Sequence, residues 1–258
     1  MFDFTRRSLL AAGAVTLIAL AGCSGGGKEE TKASVDTTAE TEATAAPAFA
    51  LVTLPVGKKA PADLVAQLAA AKSSGDVSDV LLLKSKPSAE GPLGFDQLAV
   101  LEFPSEAAFN KWNGTAVRKL GTDLVIRRAD LLVDRRAKEH PATAIYVLGH
   151  YDTMVDAAKY GSFTEGYISP NLDGQIKAGG LTGYAMYYER EPVEGIKGNR
   201  AILVKQYTDE AGWHSAEKAK VAIREELKKD PAWMVLDGEK PKMREQISGT
   251  LATPIAVK

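Results

Sequence analysis

The chain contains an internal repeat with a constant offset of 104 residues. Residues 99–109 (AVLEFPSEAAF) align with residues 203–213 (LVKQYTDEAGW). A valine, a glutamate and an alanine are identical, and aromatic residues face each other at two more positions. Ser105 faces Asp209, and both residue types commonly cap the N-terminus of a helix. Because a strand, a cap and a helix agree in the same order, the repeat restricts the chain to two copies of one supersecondary unit.

Hydrophobic periodicity predicts the same order of elements in both copies. In the first copy we expect strands at 49–56, 77–84, 97–103 and 124–133, and helices at 61–72 and after Ser105. In the second copy we expect strands at 144–151, 183–189, 200–207 and 250–257, and a helix that runs from Asp209 to just before Pro231. The resulting βαββαβ order is the ferredoxin-like arrangement. The sequence therefore predicts an α+β fold with two tandem ferredoxin-like units, at residues 48–138 and 139–258.

Two short segments also resemble a known superfamily. Residues 98–112 (LAVLEFPSEAAFNKW), and residues 177–181 (KAGGL) leading into a strand, are similar to the dimeric α/β-barrel superfamily. That superfamily includes antibiotic-biosynthesis-monooxygenase and EthD-like domains. The resemblance implies that two ferredoxin-like units pair their sheets into one barrel, here as an intrachain pseudo-dimeric α/β barrel. The chain departs from this pattern by an insertion of about 24 residues near 231–246 and by a long, broken segment at 154–180. Either departure could cover or reshape a pocket.

The N-terminal residues have the features of an export signal. Arg6 and Arg7 precede an apolar run at residues 9–20, which is too short to cross a bilayer as a helix. Residues 20–23 (LAGC) resemble the bacterial lipoprotein box, which implies cleavage before Cys23 and lipid attachment to it. Residues 5–10 (TRRSLL) resemble the twin-arginine export motif, although the Sec route remains open. We therefore expect a signal peptide at 1–22, a flexible tether at 23–47 and an anchor in the bacterial envelope. Ser24 favours the outer membrane, facing the periplasm.

Composition excludes several classes of function. The formal net charge is −1, so the chain lacks the concentrated positive charge of a nucleic-acid-binding protein. One cysteine and three histidines leave little room for a metal site, and no phosphate-binding or nucleophile-elbow motif occurs. We therefore expect no cofactor, no metal and no nucleic-acid partner. The Lys/Glu-rich run at 217–229 is expected to be the solvated face of a helix.

The candidate catalytic residues lie at the end of one predicted strand. Alternate residues of a strand share a face, so Tyr146, His150 and Asp152 are expected to point the same way. A carboxylate beside an imidazole fixes its tautomer and raises its basicity, as a general base requires. The competing interpretation is a structural histidine at a strand end, with Asp152 capping the following helix. His140, in the linker between the units, is expected to be solvated.

The candidate ligand-binding residues are aromatic. Tyr184 and Tyr188 share one face of a strand and Tyr187 lies on the other. With Tyr146 and Trp213 they could orient a small organic ligand inside an apolar barrel. The competing interpretation, which each tyrosine taken individually favours, is ordinary strand composition and core packing.

Three functions remain open at this stage. The favoured one is a membrane-anchored lipoprotein whose barrel binds, and can also transform, a small apolar or aromatic organic molecule. The second is a cofactor-independent oxygenase or isomerase with His150 as base, Asp152 orienting it, and Tyr184 or Tyr188 holding the substrate oxygen. The third is a structural or assembly lipoprotein in which the insertion meets a protein partner.

Overall fold

The computed structural model describes residues 46–86, 94–121 and 123–258. They belong to one compact unit, Thr44–Lys258. The signal peptide, Cys23 and nearly all of the tether lie outside the described residues. Among the described residues, no helix is long and apolar enough to cross a membrane.

The element order is βαββαβ in each half, with extra helices in the second half. The first half comprises β1 (Ala48–Pro55), α1 (Leu64–Ser73), β2 (Asp79–Ser85), β3 (Phe95–Phe103), α2 (Glu106–Leu120) and β4 (Val125–Arg135). The second half comprises β5 (Ile145–Thr153), α3 (Ala157–Phe163), a π-helical turn (Thr164–Ile168), α4 (Ser169–Lys177), β6 (Leu181–Glu189), β7 (Asn199–Tyr207), α5 (Glu210–Leu227), α6 (Pro231–Met243) and β8 (Arg244–Ile255). β7 begins 104 positions after β3 begins and ends 104 positions after β3 ends, as the repeat predicts.

The eight strands form one closed antiparallel barrel in the order β1-β3-β2-β8-β5-β7-β6-β4. Each half supplies four adjacent strands in the same relative order. The halves meet where β2 pairs with β8 and where β4 pairs with β6. The predicted boundary at 138/139 falls between β4 and β5. The α+β class and the ferredoxin-like order of elements are therefore confirmed.

Alternating residues of all eight strands fill the inside of the barrel. An eight-stranded barrel has an interior that side chains can just fill. This central cluster consists of Phe49, Leu51, Leu83, Phe95, Leu98, Val100, Ala129, Ala144, Tyr146, Leu148, Ala185, Tyr187, Ile202, Val204 and Ala252. The barrel is consequently a packed core.

Helices cover the outer face of the sheet in both halves. In the first half, α1 and α2 pack on β1, β2 and β3, and the side chains between them form a filled apolar layer. The hydroxyl oxygen of Ser105 accepts a hydrogen bond from the backbone N–H of Ala108, and the carboxylate of Asp209 accepts one from Gly212. Both predicted helix caps are confirmed.

The insertion forms a helix of the second outer layer. Asp230 caps α6, Pro231 begins it, and β8 follows directly at Arg244, six residues earlier than expected. The indole of Trp233 stacks on Tyr167 of the π-helical turn, with 4.9 Å between ring centroids. Its Nε1–H donates to the backbone oxygen of Tyr167 at 3.0 Å. These contacts hold α6 against the segment at 154–180, which forms α3, the π-helical turn and α4.

Candidate functional site

The predicted His150–Asp152 pair does not form. Among the described residues, neither ring nitrogen of His150 has a hydrogen-bond partner. The carboxylate of Asp152 instead accepts hydrogen bonds from the backbone N–H groups of Lys197 (3.0 Å) and Gly198 (2.9 Å). Asp152 does not cap the following helix either, because Asp156 does so. Both interpretations of Asp152 are wrong, since β5 continues to Thr153 and places this carboxylate on the loop before β7.

His150 is a buried neutral side chain. Only 1% of it is exposed, and its ring lies 6.2 Å from that of Phe95. Its pKa is lowered to about 3, chiefly by burial and in smaller part by the positive charge of Arg200. Arg200 forms a buried ion pair with Glu189, with 2.8 Å between Nε and Oε2. His150 thus remains uncharged at neutral pH.

The tyrosines of β6 alternate as predicted, but two of them face the helices. Tyr187 belongs to the central cluster, whereas Tyr184 and Tyr188 pack in the outer layer of the second half. The hydroxyl of Tyr184 donates to Asp173 of α4 at 2.8 Å, and that of Tyr188 donates to the backbone oxygen of Val155 at 2.9 Å. The expectation that these hydroxyl groups line the inside of the barrel is therefore wrong.

Tyr146 does reach the barrel interior, at one end. Its hydroxyl donates to Gln206 Oε1 at 2.6 Å and lies 2.8 Å from His140 Nδ1. His140 is held in this cluster rather than solvated as expected. The cavity beside these groups measures about 30 Å³, and one water molecule needs about 10–15 Å³ on the same measure. An aromatic molecule does not fit there.

A larger cavity lies between the sheet and the helices of the second half. Its volume is about 310 Å³, within the usual range for small-molecule sites. We call it the sheet–helix cavity. Its lining is Tyr151, Tyr167, Ile168, Asn171, Leu172, Gln175, Leu203, Lys205, Lys220, Arg224, Trp233, Lys240, Arg244 and Gln246. Five of these residues are cationic, three are aromatic and none is acidic.

Arg244 is the most distinctive cation of the sheet–helix cavity. Its guanidinium carbon lies 3.9 Å from the ring centroid of Tyr151, so the group stacks on the aromatic face. An Nη1–H group donates to the hydroxyl of Tyr160 at 3.4 Å. Within the described part of the chain, no carboxylate lies within 4 Å of this guanidinium. The edge of the guanidinium is thus available to an anion.

Lys205 lines the same cavity from β7. Its side chain is 13% exposed, and its Nζ lies 3.9 Å from a carboxylate oxygen of Glu217. The pKa of this amine is lowered to about 8, chiefly by burial; Glu217 opposes the shift, and the nearby Lys220 adds a smaller lowering effect. The Nζ lies 5.7 Å from the ring centroid of Tyr207, whose hydroxyl is buried without a hydrogen-bond partner.

Two acidic residues, Glu217 and Asp237, lie at the margin of the sheet–helix cavity. Glu217 bonds Lys220 at 2.9 Å, and Asp237 lies 3.8 Å from Arg224. Two carboxylates thus stand against five cations. Lys220 and Arg224 belong to the run at 217–229. Their side chains are 37% and 40% exposed, in line with the expected solvated face, and they also line the cavity.

Trp213, the remaining predicted site residue, lies on α5 beside this layer. Its indole is partly buried in the second outer layer and stacks on His214, with 4.8 Å between centroids. It does not line the sheet–helix cavity. The predicted residues Tyr146, His150, Tyr184, Tyr188 and Trp213 therefore do not converge on one site.

The internal repeat contained a signal for one of the cavity residues that the sequence analysis missed, Lys205. At the offset of 104, Lys205 aligns with Leu101, which is fully buried in the first half. A lysine at a core position of the sheet–helix layer indicates a specialised second half. Arg244 and Trp233 belong to the insertion, where no repeat partner exists for comparison.

No protein-family model matches the chain, and no curated protein matches it. Among solved structures, a monooxygenase candidate from Lactobacillus acidophilus NCFM is similar at 12% identity and a TM-score of 0.48, covering 81% of this chain and 93% of that one. An anthrone oxidase-like protein is similar at 9% identity and a TM-score of 0.46, covering 81% and 91%. A DypB variant from Rhodococcus jostii RHA1 in complex with heme is similar at 12% identity and a TM-score of 0.39, covering 81% and 93%. Likeness at this level assigns no chemistry. The strand topology itself defines the class, an eight-stranded antiparallel α+β barrel.

Proposed function

We propose that this chain is a binding protein for a small aromatic organic anion, held in the sheet–helix cavity. The observation that carries the proposal is the set of five cations and three aromatic rings around about 310 Å³ of space, with no acidic residue in the lining. A ligand carboxylate would be the negatively charged partner that Arg244 lacks among the described residues, and it could bind in the bidentate geometry that a guanidinium favours. The ring of the ligand would contact Tyr151, Tyr167 and Trp233.

Arg244 is suited to bind the anionic group. Its stacking on Tyr151 fixes the plane of the guanidinium and leaves N–H groups at the edge. Lys240 has no carboxylate within 4 Å among the described residues and would add a second positive charge. The partly buried setting strengthens these interactions, because little water screens them.

Isothermal titration calorimetry of the full chain with aromatic carboxylates tests the proposal. We expect saturable one-to-one binding of a probe such as 4-methylbenzoate and weaker binding of toluene, which lacks the charge. The Arg244→Gln variant should lose most of the affinity. The matched control is Lys242→Gln, which removes a positive charge from the exposed side of α6. Equal loss in both variants, or no saturable binding, would contradict the proposal.

A heme bound through histidine does not fit the sheet–helix cavity. None of the three histidines lines it, and His140 borders two other cavities, of about 30 and 260 Å³, at the far end of the barrel interior and its rim. The side chains required by the oxygenase hypothesis with His150 as base also do not lie together. His150 is buried without a partner, whereas Tyr184 and Tyr188 lie on the opposite face of the sheet. We therefore favour binding over that reaction.

We also propose that the protein is exported and anchored through lipid on Cys23, at the envelope of a bacterium. The support is the charged start, the short apolar run and the LAGC sequence, which ends at the one cysteine of the sequence, Cys23. Metabolic labelling with a fatty acid should mark the chain and should fail to mark Cys23→Ser. Labelling that persists in this variant would contradict the anchor.

We further propose that the two halves are a fused pair of ferredoxin-like units, as a pseudo-dimer. The support is the shared offset of β3 and β7 and the equivalent order of the two sets of four strands. A circular permutant that opens between β4 and β5 and links the ends should retain the fold. Far-UV circular dichroism and a cooperative thermal transition would test this.

A further inference from the structure

Lys205 occupies a reactive setting rather than that of a simple ion pair. Its amine lines the sheet–helix cavity, but its distance to Glu217 is 3.9 Å, beyond hydrogen-bond range. Glu217 instead bonds Lys220 at 2.9 Å. The amine is thus nearly buried, faces the cavity and lacks a hydrogen-bonded carboxylate partner among the described residues.

Two buried polar atoms beside the cavity also lack partners. The hydroxyl of Tyr207 is next to Lys205 on the same face of β7, and burial raises the pKa of Tyr207, so the phenol keeps its proton. The side-chain oxygen of Gln175, in the cavity lining, has no hydrogen-bond donor. Buried polar atoms in native proteins are nearly always satisfied. A ligand donor in the cavity would satisfy the oxygen of Gln175, which is the one of the two that lines the cavity.

Burial also makes the amine of Lys205 a nucleophile near neutral pH. Its pKa is about 8, so half of the amine is neutral at pH 8, against roughly 0.4% for an unperturbed lysine. The charged and titratable groups around the cavity come from three elements and the aromatic lining. They are Glu217, Lys220 and Arg224 of α5, Asp237 and Lys240 of α6, and Arg244 of β8, with the phenols of Tyr151, Tyr167 and the neighbouring Tyr207. Glu217 raises the pKa of the amine more than Lys220 lowers it, so burial is what favours the neutral form.

We propose that Lys205 forms an imine with a carbonyl group of the bound anion, so that the cavity takes an aromatic aldehyde or ketone that also carries a carboxylate. This inference rests on the proposed function, because Arg244 and Lys240 hold the carboxylate while Lys205 meets the carbonyl carbon.

The step balances without an oxidant or a reductant. The lone pair of the neutral amine attacks the carbonyl carbon, a C–N bond forms, and the carbonyl π electrons move to oxygen, which takes a proton. The nitrogen loses a proton to give the neutral carbinolamine, and the hydroxyl oxygen takes a second proton, so that one proton from solvent is consumed overall. The nitrogen lone pair then forms the C=N bond as the C–O bond breaks and water leaves. The products are one protonated imine and one water, and hydrolysis reverses the reaction.

Reductive trapping tests the inference. The full chain is incubated with 4-formylbenzoate and sodium cyanoborohydride, and the adduct is located by peptide mass spectrometry. We expect one adduct per chain, at Lys205, forming at least tenfold faster than labelling of the exposed Lys242, with a rate that rises through about pH 8. Lys205→Leu, which copies the residue found at the equivalent position in the first half, should abolish the adduct. Labelling spread over surface lysines, or unchanged in Lys205→Leu, would overturn the inference.

A second probe separates this inference from the proposed function. 4-Methylbenzoate has the ring and the carboxylate but no carbonyl group, so it should bind and should slow the labelling of Lys205. If it binds and depends on Arg244 but 4-formylbenzoate gives no adduct at Lys205, the imine is wrong and the binding function stands. If 4-methylbenzoate neither binds nor slows labelling, both proposals are wrong. Circular dichroism of Lys205→Leu confirms that the variant is folded.

Discussion

Lys205 in β7 and Leu101 in β3 occupy equivalent positions in the two halves of the barrel, 104 residues apart. Each lies on the outer face of its strand, under the helices. Leu101 is fully buried in a filled apolar layer, whereas Lys205 borders a cavity of about 310 Å³. Equivalent positions of the fold thus form a packed apolar layer in the first half and line a candidate binding site in the second.

The first prediction is that Lys205→Leu stabilises the fold at pH 7. The variant removes a nearly buried ammonium and adds apolar surface at a site where leucine already packs in the first half. We expect a gain of about 1–3 kcal/mol in the free energy of unfolding. Urea denaturation measures it, and Lys242→Leu on exposed α6 should give almost no change.

This gain should shrink as the pH rises. Since the pKa of Lys205 is about 8 in the folded chain against an ordinary value of 10.5, the unfolded chain binds more protons between these values. The contribution of Lys205 to stability therefore increases with pH across this window. The difference between Lys205→Leu and the unmodified chain should be full below pH 8 and smaller at pH 10. A difference independent of pH would show that the amine is not perturbed.

Local patterns predicted the fold well, because helix caps and strand alternation depend on neighbouring residues. Ser105 and Asp209 cap their helices as expected. The site was harder to predict, because its contacts join distant segments. The partners of Asp152 lie on the loop before β7, and strand alternation gives the face of a side chain but not the donor it meets. Arg244 and Trp233 line the cavity but belong to an insertion, and the sequence pattern does not predict where an insertion packs.

The second prediction concerns His150 and acid stability. Its pKa is about 3 when folded and 6.5 ordinarily, so the unfolded chain binds the additional proton between these values. Stability should fall as the pH drops below about 6.5, by about 1.4 kcal/mol per pH unit from this group once the unfolded histidine is protonated. His150→Leu should remove this component of the slope between pH 6 and pH 5 in urea denaturation. The exposed His214→Gln is the control, and an equal change in both variants would contradict the prediction.

The third prediction separates charge from geometry at Arg244. Arg244→Lys keeps the positive charge but loses the planar group that stacks on Tyr151. We expect affinity for 4-methylbenzoate to fall about tenfold in Arg244→Lys and further in Arg244→Gln, since a hydrogen bond to a charged group contributes about 1.5–3 kcal/mol. Calorimetry at two salt concentrations checks this. If Arg244→Lys binds as tightly as the unmodified chain, only charge matters at this position.

The fourth prediction concerns the helix that covers the sheet–helix cavity. Trp233 is 3% exposed and joins α6 to the π-helical turn through its stacking and hydrogen bond with Tyr167. Trp233→Phe keeps a ring but removes the indole N–H, so it should cost about 1 kcal/mol. Trp233→Ala removes the whole contact and should cost about 3–5 kcal/mol. Because α6 depends on this contact, hydrogen–deuterium exchange should rise within α6 in Trp233→Ala while α1 and α2 remain protected. Uniformly faster exchange in all helices would mean instead that α6 unfolds only together with the barrel.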